Sequence, residues 1–405
     1  MFGNILERGP DLQGYDRVHS ARFVCSYEKS LLYLPVTGLP ERGSQPSRGY
    51  VRLWMHFRVE EEMIKERLVY IDLLNIMACY GVVWLHCSGD AFTFRMDKYW
   101  LMSLCIQVIA HWAVPVFFML TGANLMDYRE KYSTSVYFKR RMTRIFLPFL
   151  FWSTVYFIWK CALGWLSYTG ARDLATAYLS NGIEGIFWFF YPLFGVYVCM
   201  PVLSTLADER YKKQLYYMAG LGIIAYAFMP LLPGVLGIQY TSELNPPIVG
   251  GYVTYVLLGW ILKNEEFSLR VRRILYAAGI FGAASMFTGT IWLSLRDGGI
   301  LNDLLWGYMM YPTLFMACAL FLLLKHCRWQ ILYKEKVQRV LAKLSGASFG
   351  VYLIHIMIVN ALVVDGPVNG DSRWWMLFGA AGIYLICIGI VLAAKKIPGI
   401  KYLFP

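Results

Sequence analysis

Charge is what this chain has least of. Of its 405 residues only 16% are Asp, Glu, Lys or Arg, against 58% hydrophobic and 17% aromatic, and the mean hydropathy is +0.47. That balance excludes an ordinary soluble globular protein. The sequence also has no P-loop, no glycine fingerprint of a dinucleotide site and no Gly-x-Ser-x-Gly elbow, so those chemistries have no motif to rest on. The nine cysteines show no zinc spacing, so no metal site is expected, and only Cys87 reaches the outer edge of a span, which leaves no external pair for a disulfide. Connections between the apolar runs are too short for an inserted soluble domain, so any chemistry must sit inside a membrane bundle.

What is present is a series of apolar runs of crossing length. At roughly 20 residues per crossing, ten spans are expected, at 69–87, 99–126, 145–166, 183–206, 215–238, 248–262, 274–295, 301–324, 344–364 and 374–394, the sixth short and the second long. The fold class is therefore an all-α integral membrane protein, a bundle of about ten transmembrane helices. Although the formal net charge is +12, the basic residues recur in short segments between spans rather than in one patch, which argues for membrane lipid as partner and against nucleic acid. Alternate connections separate by charge. One set, with the C-terminal tail, carries 22 Lys and Arg residues, among them Lys131, Arg140, Arg141, Arg144, Lys263, Lys336 and Lys395; the other carries only Arg95, Lys98, Arg172, Arg296 and Arg373. By the positive-inside rule both termini are cytoplasmic and the protein lies in the cell membrane. Residues 1–62 are polar, rich in Arg, Pro and Gly, and without an apolar run. They form either a disordered extension or an untranslated stretch ahead of a start at Met63, leaving 63–405 as the membrane domain.

The first span is the most informative. At about 100° per residue, Asp72, Asn75, Cys79 and His86 fall on one face of a helix, with Asn75 and His86 roughly 16 Å apart along the axis. Polar and ionisable residues inside a membrane need a reason. A stripe satisfied by neighbouring helices is one, and a functional wall is the other.

Five segments in order carry a resemblance to a known family: Tyr70–Asn75 leading to His86, Ala113–Gly122, Lys139–Pro148, Trp188–Tyr197 with Pro201, and Ser348–His355. From about Arg67 to Ala394 the chain resembles membrane-bound acyltransferase family 3, integral-membrane enzymes that O-acylate bacterial surface glycans. The resemblance implies transfer of an acyl group, usually acetyl, from cytoplasmic acyl-coenzyme A (acetyl-CoA as co-substrate, with no permanently bound cofactor) to a hydroxyl of a cell-surface or lipid-linked glycan. His86 is then the expected base, suited by an imidazole pKa near 6.5, with Asp90 orienting its ring if the helix continues that far. Asp72 and Asn75 line the same face, and His355, about 16 Å into the ninth span, belongs either to the site or to helix packing. Arg140, Arg141 and Arg144 are candidates for the phosphates of coenzyme A, although arginines flanking a span on the inner side are also anchors. Two positions depart from the family pattern, which has a cation where Asn75 and His111 stand. Asn75 still donates hydrogen bonds, and His111 either binds the thioester carbonyl, relays a proton or serves as a core histidine. A flippase of lipid-linked glycans and an inactive relative of the acyltransferases are the rival functions.

The charge asymmetry makes a prediction. Cysteines introduced at Thr169 and Asp365 react with an impermeant thiol reagent in whole cells, and cysteines at Lys131 and Lys336 do not; the opposite pattern would invert the orientation.

Overall fold

The computed structural model describes residues 68–404 apart from 169, 328 and 329. The extension 1–62, the start at Met63 and the probe position Thr169 lie outside the described residues. Among the described residues every regular element is helical. In chain order the α-helices are α1 Val69–His86, α2 Lys98–Ala110, α3 Ala113–Leu125, α4 Thr134–Arg141, α5 Leu147–Ala162, α6 Ala171–Leu179, α7 Phe190–Leu203, α8 Lys212–Ile223, α9 Leu231–Leu236, α10 Val253–Asn264, α11 Leu269–Arg296, α12 Tyr311–Lys325, α13 Glu335–Val363 and α14 Ala380–Ala394. Joined through short 3-10 and π-helical turns, they make nine helices, among the described residues, long and apolar enough to cross a membrane. The sixth expected span is α10. At 12 residues it is roughly 18 Å long against a hydrocarbon core of about 30 Å, so it is a core helix that enters the bundle partway. Its residues Thr254 to Leu262 are all buried.

The connections sort themselves onto two ends. At one, Lys263 pairs with Asp127 at 2.8 Å, Lys212 with Glu265 at 2.5 Å and Lys325 with Glu266 at 3.1 Å, and Arg129 donates to Ser204 Oγ at 2.8 Å. At the other, the Asp90 amide donates to Asp371 Oδ1 at 3.0 Å and Arg296 donates to the Gly234 carbonyl at 3.1 Å. Connections rich in Lys and Arg touch one another, and connections poor in them do the same. α10 runs parallel to α3, with Phe118 stacked on Tyr252 at 4.2 Å and Asp127 bound to Lys263 further along both helices. It therefore takes the direction of a sixth traverse despite its length.

Prolines decide where helices break. Pro115 has no amide proton for the carbonyl four residues back, that of His111, and the second span parts there into α2 and α3 through a turn at His111–Trp112. Pro201 inside α7 frees the Tyr197 carbonyl in the same way, and the Tyr137 hydroxyl donates to it at 3.1 Å. Freed carbonyls in apolar surroundings need such partners.

The tightest helix crossing is α3 on α10. A methyl group on Gly122 would stand 1.9 Å from the Val256 carbonyl oxygen, and one on Gly259 1.9 Å from that of Met119. Gly122→Ala is therefore expected to force the helices apart at a cost of about 1–3 kcal/mol or more, seen as a lower melting temperature in detergent. Gly220→Ala in α8, where nothing lies within 4 Å, is the matched control and leaves the melting temperature unchanged.

Candidate active site

The polar face of α1 is zipped to α13. Asn75 Nδ2 donates to the Ser345 carbonyl at 2.9 Å and to Ser345 Oγ at 3.0 Å, Cys79 Sγ donates to the Ser348 carbonyl at 3.3 Å, and the rings of His86 and His355 lie 5.3 Å apart between centroids. Residue numbers rise together along both helices, so the first and ninth spans run parallel. Asp72, in the first turn of α1, is buried where its carboxylate complements the helix N-terminus.

His86 is the last residue of α1. Asp90 consequently does not continue its helix: its carboxylate caps the Thr93 amide at 3.1 Å, and it faces His86 only across a cavity. His355 is fully buried, and its Nδ1 lies 2.8 Å from the Tyr352 carbonyl oxygen. A carbonyl only accepts, so Nδ1 carries the proton and the Nε2 lone pair is left over. That Nε2 has no hydrogen-bond partner. A buried nitrogen left with a free lone pair and no partner, beside a second imidazole, is an arrangement that a packing histidine does not need.

Three cavities follow this seam. The inner one, about 420 Å³, is lined by Asn75, Asn124, Arg141, Ser345, Tyr352 and Lys395, among others. The central one, about 90 Å³, is lined by His86, Gln107, Phe117, Trp188, Tyr308 and Tyr352, with further apolar side chains. The outer one, about 390 Å³, joins His86 to Asp90, Asn360, Asn369, Asp371 and Trp375. Phe117, Phe189 and Tyr352 line both the inner and the central cavity and form the waist between them. His86 lines both the central and the outer one. The three are thus strung from the basic end to the opposite end, with His86 at the second junction.

The chain belongs to acyltransferase family 3. The family's model, described as an acyltransferase domain, matches residues 68–393. No curated protein and no solved structure gives a significant match. The protein is therefore a multi-pass membrane acyltransferase, and the remaining candidate residues can be placed in it. Of the three arginines, Arg141 reaches the inner cavity and packs against the rings of Tyr137 and Tyr197 at 5.8 and 5.5 Å. Arg140 lies over Tyr132 at 4.3 Å, and Arg144 is exposed before α5. His111 lines none of the three cavities: its Nε2–H donates to the Trp306 carbonyl and its ring stacks on Tyr308 at 4.5 Å. It stands behind Tyr308, which lines the central cavity.

Two features of the site were not picked out from the sequence. Lys395 lines the inner cavity and donates to the Gly346 carbonyl at 2.6 Å, and burial pulls its ammonium below the usual lysine range. Lys160 and Glu184 form a buried pair at 3.0 Å, and Lys160 also donates to the Ile183 carbonyl at 2.8 Å. This pair pins the chain just before Ile186 and Trp188, which line the central cavity. A lysine within an apolar span was the available signal.

Removing one partner of a buried ion pair leaves the other uncompensated. Glu184→Ala is thus expected to destabilise the protein by about 3 kcal/mol, whereas the double change Lys160→Met with Glu184→Leu retains most of the stability. Thermal melts of the detergent-purified variants check this, and equal losses for the single and double variants would contradict it.

Proposed function

We propose that the protein transfers a short acyl group from cytoplasmic acyl-coenzyme A to a hydroxyl of a cell-surface or lipid-linked glycan across the cell membrane. The observation that carries the proposal is the position of His86, at the junction of a path leading from the basic end with a cavity opening toward the opposite end. In this reading the basic end faces the cytoplasm. The nucleotide sits outside the inner cavity, with Arg141 and Lys395 attracting its phosphates. The pantetheine arm, which carries amide groups, lies in the inner cavity against Asn75, Asn124 and Ser345, and the thioester passes the waist of Phe117, Phe189 and Tyr352. The roughly 16 Å of α1 between Asn75 and His86 matches the reach of such an arm.

The acceptor sugar occupies the outer cavity, whose amide and carboxylate side chains suit hydroxyl groups. His86 takes the proton of the acceptor hydroxyl as its oxygen attacks the thioester carbonyl; the tetrahedral intermediate then collapses, the carbon–sulfur bond breaks, and the imidazolium returns the proton to the departing thiolate. His355, with its Nε2 lone pair turned free by the Tyr352 carbonyl, shares or relays the charge on His86. Asn75 replaces the family's cation with a neutral donor that the α13 backbone holds in place, which is compatible with binding an uncharged arm.

The test is glycan acylation in cells that lack the native gene, normalised to membrane protein level. His86→Ala is expected to lower the rate by about 10²- to 10⁴-fold while coenzyme A still binds the purified protein, and His326→Ala is expected to be near neutral. Near-normal acylation by His86→Ala would make the polar face of α1 structural. Absence of any acyl transfer by the wild type with acyl-coenzyme A would leave the chain an inactive relative.

A further inference from the structure

The three cavities differ in size by a factor that bears on what each can hold. The inner and outer ones measure about 420 and 390 Å³ and the central one only about 90 Å³. An apolar protein cavity of about 150 Å³ accommodates a benzene ring. The central cavity is therefore too small for a pyranose, which has a six-membered ring and its hydroxyl groups besides, yet large enough for a few methylene groups. Its walls are mostly apolar and aromatic, and it is the cavity into which a thioester would emerge once past the waist.

One wall is built so that it cannot yield. Trp188 stacks on Tyr308 at 5.3 Å and 21°, and Tyr308 stacks in turn on His111 at 4.5 Å and 13°. The far end of this three-ring stack and its middle member are tied. His111 Nε2–H is held by the Trp306 carbonyl, and the Tyr308 backbone accepts the Tyr255 hydroxyl at 2.5 Å. Lys160 and Glu184 fix the chain four residues before Trp188. A side chain free to swing would let a longer chain in; an indole stacked on a second ring whose own backbone is anchored resists that movement.

We propose that the central cavity is an acyl-length gauge, in which the Trp188–Tyr308–His111 stack limits the transferred group to about two to four carbons. This rests on the acyl-coenzyme A reading above and adds the class of acyl group. His111 enters as a positioning residue of that wall, which accounts for a polar side chain held behind a cavity it does not line. No covalent step beyond the acyl transfer is involved.

The experiment is competition for binding of radiolabelled acetyl-coenzyme A to the detergent-purified full chain, using free coenzyme A and its acetyl, butyryl, hexanoyl and octanoyl thioesters. Each buried methylene is worth roughly fourfold in affinity, so the gain per methylene should continue to butyryl and then reverse, with octanoyl-coenzyme A binding about tenfold or more weaker than butyryl. Trp188→Ala is expected to raise hexanoyl and octanoyl affinity to or above that of butyryl while leaving free coenzyme A unchanged. Val114→Phe, which fills the same cavity from α3, is expected to weaken butyryl about tenfold and again to spare coenzyme A. If wild type and both variants bind all thioesters alike, the gauge is wrong although the donor reading stands. If free coenzyme A does not bind the wild type at all, the donor reading itself fails. Should Trp188→Ala lose coenzyme A binding through misfolding, Val114→Phe alone decides the outcome.

Discussion

The structure depends on giving partners to the polar side chains that α1 carries into an apolar solvent. Asn75, Cys79 and His86 cannot face lipid without cost, and each meets a counterpart on α13 at a matching height: Ser345, Ser348 and His355. Two helices more than 250 residues apart in the chain must therefore lie side by side, in one register and in the same direction. Parallel pairing of the first and ninth spans requires an odd number of traverses between them. Seven are present only if the short α10 counts as one, and its parallel contact with α3 shows that it does. The alternation of basic and non-basic connections is the visible consequence of that pairing.

Once the seam exists, the interior has to be filled around it without sealing it. Large aromatic side chains do most of this: Phe117, Trp188, Phe189, Tyr308 and Tyr352 pack against one another and leave cavities where their flat faces and edges fail to mesh. Pro115 breaks the second span and Pro201 frees a carbonyl within α7, and the glycines at 122 and 259 let α3 and α10 approach to backbone contact. Close packing on one side of α3 and open space on the other are two results of the same helix. Open space is thus confined to a line of small volumes along α1 and α13.

Much of the fold was legible beforehand. Span ends fell within a few residues for most helices because the apolar runs are long and their flanks polar, and the sixth span was already short in the sequence. Its true form, a helix of 12 residues, was not legible, since an apolar run does not reveal where its backbone starts to coil. Of the site, the face shared by Asn75 and His86 could be read from helical period alone. Period says nothing, however, of which distant helix that face meets, so the pairing of His86 with His355 waited for the structure. His111 read as a polar residue at mid-depth and therefore as a candidate for chemistry; only its contacts with Trp306 and Tyr308 put it behind the wall. The three arginines were indistinguishable in a basic run, and the turn of α4 into α5 is what sends Arg141 alone to the inner cavity. Lys395 was overlooked because a lysine after a final span is expected at the lipid headgroups in any case.

The central claim is that donor and acceptor meet at His86 along one path through the bundle. It is tested most directly by a cryo-electron microscopy structure of the full-length protein with a thioether analogue of acetyl-coenzyme A. The account predicts the phosphates near Arg141 and Lys395, the arm alongside Asn75 in the inner cavity, and the ethyl group past Tyr352 in the central cavity beside His86. A ligand bound outside the bundle, or one whose sulfur stops at the waist with His86 turned away from it, would contradict the account.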